Sequence, residues 1–322
     1  MASNAQRGTD EVGRTMTVRE VKGGRGTTAV FGAAALVWGS SFLFMKIALH
    51  GMSPAQVAIG RLFLGAAALT VLMLLGRHRW PRDPRTLGHI AVTSLTFCVI
   101  PFQLWAWAGT RLPTGLSSIY NATTPLMTMM MVLAFGRGER LSREQGIGLV
   151  LGAAGVAVIL QPWRLLADTG VLAGTALAQM ACLGATACYG FAYAYTRRFL
   201  ASRDIPPMSL ASTQIAIGAG FALLLTPVVG LGAMDLSPRV VGAMLGLGVF
   251  GTGFAYVWNQ RVIRDWGPTA ASTVTYLTPV VGVVLGIVVL GERLAWYGPV
   301  GAVVVLLGIL VGQGRVRLRL PA

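Results

Sequence analysis

The sequence predicts an all-α membrane protein: ten transmembrane helices arranged as two inverted five-helix repeats. Three observations predict it. Only 11% of the 322 residues are charged, where a soluble domain carries about 25%. Apolar runs of about 20 residues, the length that crosses a hydrocarbon core, follow one another along the chain. And the tetrapeptide Gly-Glu-Arg-Leu is written twice, at 138–141 and at 291–294.

The elements follow in order. Residues 1–27 mix Arg, Asp, Glu, Thr and Gly without periodicity and read as a disordered cytoplasmic tail. A first repeat, 28–161, holds spans near 29–48, 54–75, 87–108, 115–135 and 143–161. A second, 172–313, holds spans near 172–195, 208–230, 239–259, 268–290 and 296–313. Residues 314–322 form a short basic tail. Ser142 and Gln145 have capping-box spacing for the fifth span, and Ala295 breaks that pattern in the second copy.

Orientation follows from the loops, because cytoplasmic loops collect Lys and Arg. With the N-terminus inside, twenty basic residues fall in inner segments and four in outer loops (Arg111, Arg164, Arg239, Arg293). Both termini are therefore expected in the cytoplasm. The net charge of +15 is this loop punctuation, not a basic face. It carries no nucleic-acid reading.

Sliding one half over the other puts Trp105 on Trp258, Arg111 on Arg264 and Glu139 on Glu292 at an offset of 153, and Pro125 on Pro279 at 154. At 151, Gly39 meets Gly190 and Lys46 meets Arg197. Five spans per half is an odd number, so the second half enters the membrane with opposite polarity. Inverted repeats of this kind are a signature of secondary transporters, with the substrate site near the midplane.

The stretches "LVWGSSFLFMKIAL" (36–49), "AIGRLFLGAAAL" (58–69), "ATTPLMTMMMVLAFGRGERL" (122–141) and "YLTPVVGVVLGIVVLGERL" (276–294) resemble the EamA-type family of the drug/metabolite transporter superfamily. The resemblance covers about residues 29–313. It implies a ten-helix bundle with a central cavity, metabolite or drug transport, frequently export, and a bacterial plasma-membrane setting. It carries no substrate.

Candidate residues divide by role. Ser117, Asn121 and Thr124 share one helical face by their spacing, and the counterpart positions of the last two are Thr275 and Thr278. Gln103, Trp105, Tyr120, Tyr189, Tyr193, Tyr256, Thr275 and Tyr276 complete a set of cavity candidates, while Trp107, Trp258 and Asn259 read as interfacial belt residues. Lys46 and Arg61 are the in-span cations. Lys46 either serves function or snorkels to the outer interface. Arg61, where the family resemblance expects an arginine, either pairs with a substrate carboxylate or bonds to helix-end carbonyls. Pro125 and Pro279 break or kink their spans, freeing carbonyls toward a cavity, and are candidates for gating. Glu139 and Glu292 sit between a helix end and the next helix and read as structural acceptors of orphan N–H groups.

The acidic residues all fall in tails or loops on this reading, Asp265 included, so no buried carboxylate is available as a midmembrane proton carrier. Cys98, Cys182 and Cys188 form no metal or disulfide pattern, and His50, His78 and His89 share no spacing; no metal or other cofactor is expected. "GLGVFG" (246–251) lies inside a span and is no dinucleotide fingerprint. No Walker A run supports an ATP-driven pump, and no paired carboxylates at membrane depth support an enzyme. The expected partners are a small-molecule substrate and the lipid bilayer, with homodimerisation open. The expected function is secondary transport of an amino-acid-like metabolite or drug by alternating access, with export preferred. An importer or uniport facilitator, and a non-transporting receptor or scaffold, are the alternatives.

Overall fold

The computed structural model describes residues 25–135, 142–161, 171–229 and 232–312; among them every regular element is helical. The first Gly-Glu-Arg-Leu, with Glu139, and both tails beyond these limits lie outside the described residues. Among the described residues, seven helical stretches are long and apolar enough to cross a membrane: Gly26–Ala48, Pro54–Leu75, Pro84–Gly109, Arg143–Leu160, Pro207–Pro227, Pro238–Trp266 and Ala270–Leu290. Tyr297–Gly312 is a shorter apolar helix.

In chain order the helices are α1 (Arg25–Ala48), α2 (Pro54–Leu75), α3 (Pro84–Ser94), α4 (Ile100–Gly109), α5 (Thr114–Asn121), α6 (Thr124–Phe135) and α7 (Arg143–Leu160). They continue with α8 (Val171–Phe199), α9 (Pro207–Val229), α10 (Pro238–Leu245), α11 (Ala255–Trp266), α12 (Pro268–Ser272), α13 (Thr278–Leu290) and α14 (Tyr297–Gly312). A π-helical stretch, Leu95–Val99, joins α3 to α4, and another, Gly246–Phe254, joins α10 to α11. A 3₁₀ turn, Thr273–Tyr276, follows α12.

Local chemistry sets the starts. Ser53 accepts from Gln56 N while the Gln56 side chain accepts from Ser53 N, a closed capping box for α2. Ser142 and Gln145 do the same for α7. Asp83 caps α3 through Thr86 N at 3.0 Å. Asp265, expected in a loop, stands in the last turn of α11 instead. The helix outruns its apolar stretch and ends on the exposed Arg261 and Arg264 and the half-buried Asp265, closed by Gly267 at φ 87°.

The spans near 115–135 and 268–290 are not single helices. Each breaks just before its proline. Pro125 and Pro279 lack the N–H that would bond to Asn121 O and Thr275 O, four residues back. The neighbouring hydroxyls take those carbonyls: Thr124 Oγ1 donates to Asn121 O at 2.8 Å and Thr278 Oγ1 to Thr275 O at 2.9 Å. The freed carbonyls are thus closed locally and do not point unpaired into a cavity, a correction to the expectation above. Pro101 leaves Phe97 O free in the same way, and there the Tyr256 hydroxyl donates at 2.7 Å.

Packing pairs the halves reciprocally. Helix α1 packs on α13 and α11, and α8 packs on α6 and α4. Helix α2 lies on the second π stretch, and α9 on the first and on α3. Around the centre α2 meets α9, α5 meets α13, and α7 meets α14. Gly39 and Gly190 occupy equivalent crossings. A Cβ at Gly39 would come within 3.0 Å of Thr278 O, and one at Gly190 within 2.6 Å of the Met127 carbonyl carbon. A glycine match that sequence alone leaves weak is therefore a packing requirement.

Candidate functional site

Where the halves meet, a cavity with an empty volume of ≈ 530 Å³ opens between α1, α2, the first π stretch, α4, α8, the start of α11 and the two helix breaks. Its walls are aromatic. Trp38, Phe97, Phe102, Trp105, Tyr189, Tyr193 and Tyr256 line it, with Phe97 packed edge-on against both Tyr193 (4.9 Å) and Tyr256 (5.5 Å). Ser41, Phe42 and Met45 complete one wall from α1.

The polar groups come from the breaks and from α2. Asn121 and Thr124 line the cavity from the end of α5 and the start of α6, and Thr275 from the 3₁₀ turn. Asn121 Nδ2 donates to Thr278 Oγ1 at 3.1 Å, so one break is bonded to the other. Arg61 enters from α2. Its Nε donates to Thr252 Oγ1 at 3.0 Å, and its Cζ stands 3.6 Å from the Phe102 ring centroid, a cation–π contact.

The π stretches supply the fixed points. A π turn leaves a carbonyl without its i+4 partner, a common device at functional sites. Trp38 Nε1 donates to Gly251 O at 3.0 Å, Tyr256 Oη to Phe97 O, and Thr252 Oγ1 to Leu247 O at 3.1 Å. Gly251 O and Leu247 O belong to the second π stretch and Phe97 O is left free by Pro101; together they orient Trp38 and Tyr256 in the cavity and Thr252 beside Arg61.

Of the sequence candidates, Trp105, Asn121, Thr124, Tyr189, Tyr193, Tyr256, Thr275 and Arg61 come together here. Gln103 and Tyr276 are half-buried and stand outside the lining. Ser117 is buried beyond it, and Tyr120 donates to Gln179 Oε1 at 2.6 Å, beside a second cavity between α5, α8 and α14. Asn259 is no belt residue. It is buried, accepting from Tyr193 Oη at 3.2 Å, because α11 turns it toward α8.

Lys46 and Glu292 stand away from the cavity and brace one turn. Lys46 Nζ donates to Gly109 O (2.7 Å) and Leu112 O (3.0 Å), at the carbonyl end of α4. Glu292 accepts from Thr114 N (2.7 Å) and Gly115 N (3.0 Å), at the amide end of α5. Each charge meets the helix-dipole end of opposite sign. Glu292 thus caps a helix of the other half, not the one that follows it.

The sequence reading missed Trp38, Ser41, Phe42, Met45, Phe97 and Phe102. Only the Trp38-Gly-Ser-Ser41 run carried a signal, polar and aromatic groups inside an apolar stretch.

The description "EamA-like transporter family" matches this chain twice, over residues 27–161 and 176–311. The chain belongs to the EamA-like transporter family. It is a multi-pass membrane protein, and its family is one of transporters. Among its relatives is the uncharacterized inner membrane transporter YedA of Escherichia coli, 24% identical over 265 residues, 82% of each chain. A probable amino-acid metabolite efflux pump of Salmonella typhimurium is 25% identical, covering 89% of this chain and 94% of its own. A probable terminal-alkyne amino-acid exporter of Streptantibioticus cattleyicolor is 26% identical over 86% of this chain and 89% of its own. A solved structure, described only as the crystal structure of a protein, superposes with a TM-score of 0.63 at 18% identity, covering 90% of this chain and 99% of that one. It shares the fold.

Proposed function

We propose that this EamA-family chain is a secondary transporter that exports a small amino-acid-like or drug-like amphiphile by alternating access. It crosses the plasma membrane ten times, as two inverted five-helix repeats, 28–161 and 172–313, with both termini in the cytoplasm. The observation that carries the reading is the central cavity, walled by equivalent elements of both halves and holding polar groups at both helix breaks. Substrate sites at such junctions, beside discontinuous helices, suit rocking of one half against the other. The charge bias of the loops supports the orientation. The two family relatives named as exporter and efflux pump support amino-acid-like cargo and outward direction.

On this reading Asn121, Thr124, Thr275 and the aromatic walls bind substrate, and the breaks at Pro125 and Pro279 are the flexing points. The test is efflux of labelled amino acids and cationic dyes from proteoliposomes, with and without a pH gradient. The wild type moves at least one compound, and Asn121→Ala, still folded, loses at least tenfold in rate. A folded protein that moves nothing across the panel would leave the receptor or scaffold reading in its place.

A further inference from the structure

The central cavity contains a positive charge and no negative one. Arg61 is 6% exposed, in the middle of a protein that faces lipid. Its Nε is held by Thr252 and its plane lies on Phe102. Among the described residues its terminal amino groups donate to no protein acceptor, and the cavity lining includes no Asp or Glu. A desolvated cation without a counter-ion is strongly unfavourable, so its retention calls for an anion from elsewhere.

The repeat shows that the fold does not require this charge. Pro54 and Pro207 start equivalent helices at an offset of 153, and the same offset carries Arg61 to Gln214. Gln214 fills its position as a neutral amide, donating to Thr93 O at 3.2 Å and accepting from Gln260 Nε2 at 2.9 Å. The charge belongs to one half only. A second donor accompanies it: the Trp105 indole N–H lines the same cavity, buried without a well-formed hydrogen bond.

We propose that Arg61 is the anchor for a carboxylate, and that the transported substrate is an organic acid with an apolar, ring-sized body. The guanidinium fork fits a carboxylate with two parallel bonds, Trp105 offers a further donor, and the aromatic faces of Trp38, Phe97 and Tyr256 accept apolar surface. The lining holds no carboxylate to offset a second cation, so Arg61 opposes a cationic drug that carries no carboxylate of its own. This inference rests on the transport reading above and narrows its substrate class.

The test uses purified wild type in proteoliposomes with matched pairs: 3-phenylpropionate against 3-phenylpropanamide, and phenylalanine against phenylalaninamide, with phenethylamine as the cation. Binding is read in parallel by quenching of tryptophan fluorescence. The expected result is a preference of tenfold or more for the carboxylate within a pair, lost in Arg61→Gln. Arg61→Lys keeps the preference at reduced affinity, and Thr252→Val, which spares the guanidinium, keeps it too. If Arg61→Gln fails to fold, Arg61→Lys decides the matter: it weakens binding of the acid and not of the amide, and equal weakening of both, or none, overturns the anchor. Amide or amine moving as well as the acid, or a preference unchanged in Arg61→Gln, would overturn the anchor and leave the transporter standing. If no compound of this panel or the wider amino-acid panel binds or moves, the transport reading falls and takes the anchor with it.

Discussion

Asp83 concentrates three jobs in one exposed carboxylate. It accepts from Thr86 Oγ1 at 2.5 Å and Thr86 N at 3.0 Å, reaches Arg85 N, and pairs with Arg203 Nη1 at 2.9 Å. These bonds, led by the Thr86 hydroxyl, hold its pKa at about 2, below the ordinary 3.8. All of them favour the ionised form. The sign follows: the stabilisation is fully present above pH 3.8, declines as pH falls through about 2, and is absent below that. Asp83→Asn is therefore expected to melt below the wild type at pH 7, and the two melting curves converge at the acid end. A gap that stays constant with pH would show that the carboxylate's charge is not what matters.

At the scale of elements, the helix breaks depend on hydroxyls more than on prolines. Thr278 closes Thr275 O and receives Asn121 Nδ2, whereas Thr124 closes Asn121 O within its own segment. Leaving a buried polar group unpaired costs about 1–3 kcal/mol. Thr278→Val strands two such groups at normal hydrogen-bond length, whereas Thr124→Val strands Asn121 O and loses only a long 3.4 Å contact to Asn121 Oδ1, so the first should lower the melting temperature more in detergent. Equal losses would argue against the Asn121 link between breaks. The spans that hold these breaks were legible in the sequence because lipid demands long apolar runs, and the Asn121-Thr124 and Thr275-Thr278 spacing pointed to the cavity because polar groups avoid lipid. The breaks themselves were legible only through Pro125 and Pro279. The π stretch at 246–254 had no local cue at all, since Gly-Leu-Gly-Val-Phe-Gly suits any membrane helix. Phe97 and Phe102 were unreadable for a related reason: an aromatic in an apolar run looks the same whether it faces lipid or cavity.

Across the whole molecule, the halves are tied at both ends of the bundle. At one end the Glu292 carboxylate caps α5, Asp235 N donates to Gly51 O at 2.8 Å, and Gln56 Nε2 donates to Gly232 O at 2.7 Å. At the other, Thr27 Oγ1 donates to Asp265 Oδ2 at 2.8 Å and Arg203 pairs with Asp83. Under the alternating access proposed above, rocking of one half against the other has to release these sets in turn, because an access path to the central cavity opens only where the ties across it are broken. In the proposed orientation the Asp83 end faces the cytoplasm and the Glu292 end the outside. Thr275→Cys in a background without Cys98, Cys182 and Cys188 places a reporter thiol in the cavity. Removing a capping acceptor is worth about 1 kcal/mol, so Glu292→Gln should raise labelling by an impermeant maleimide added outside by roughly fivefold. Asp83→Asn combined with Asp265→Asn should raise labelling from the cytoplasmic side of inverted vesicles and lower it from outside. Both variants raising labelling from the same side would mean that the ties do not oppose one another, and that the two halves do not rock about this cavity.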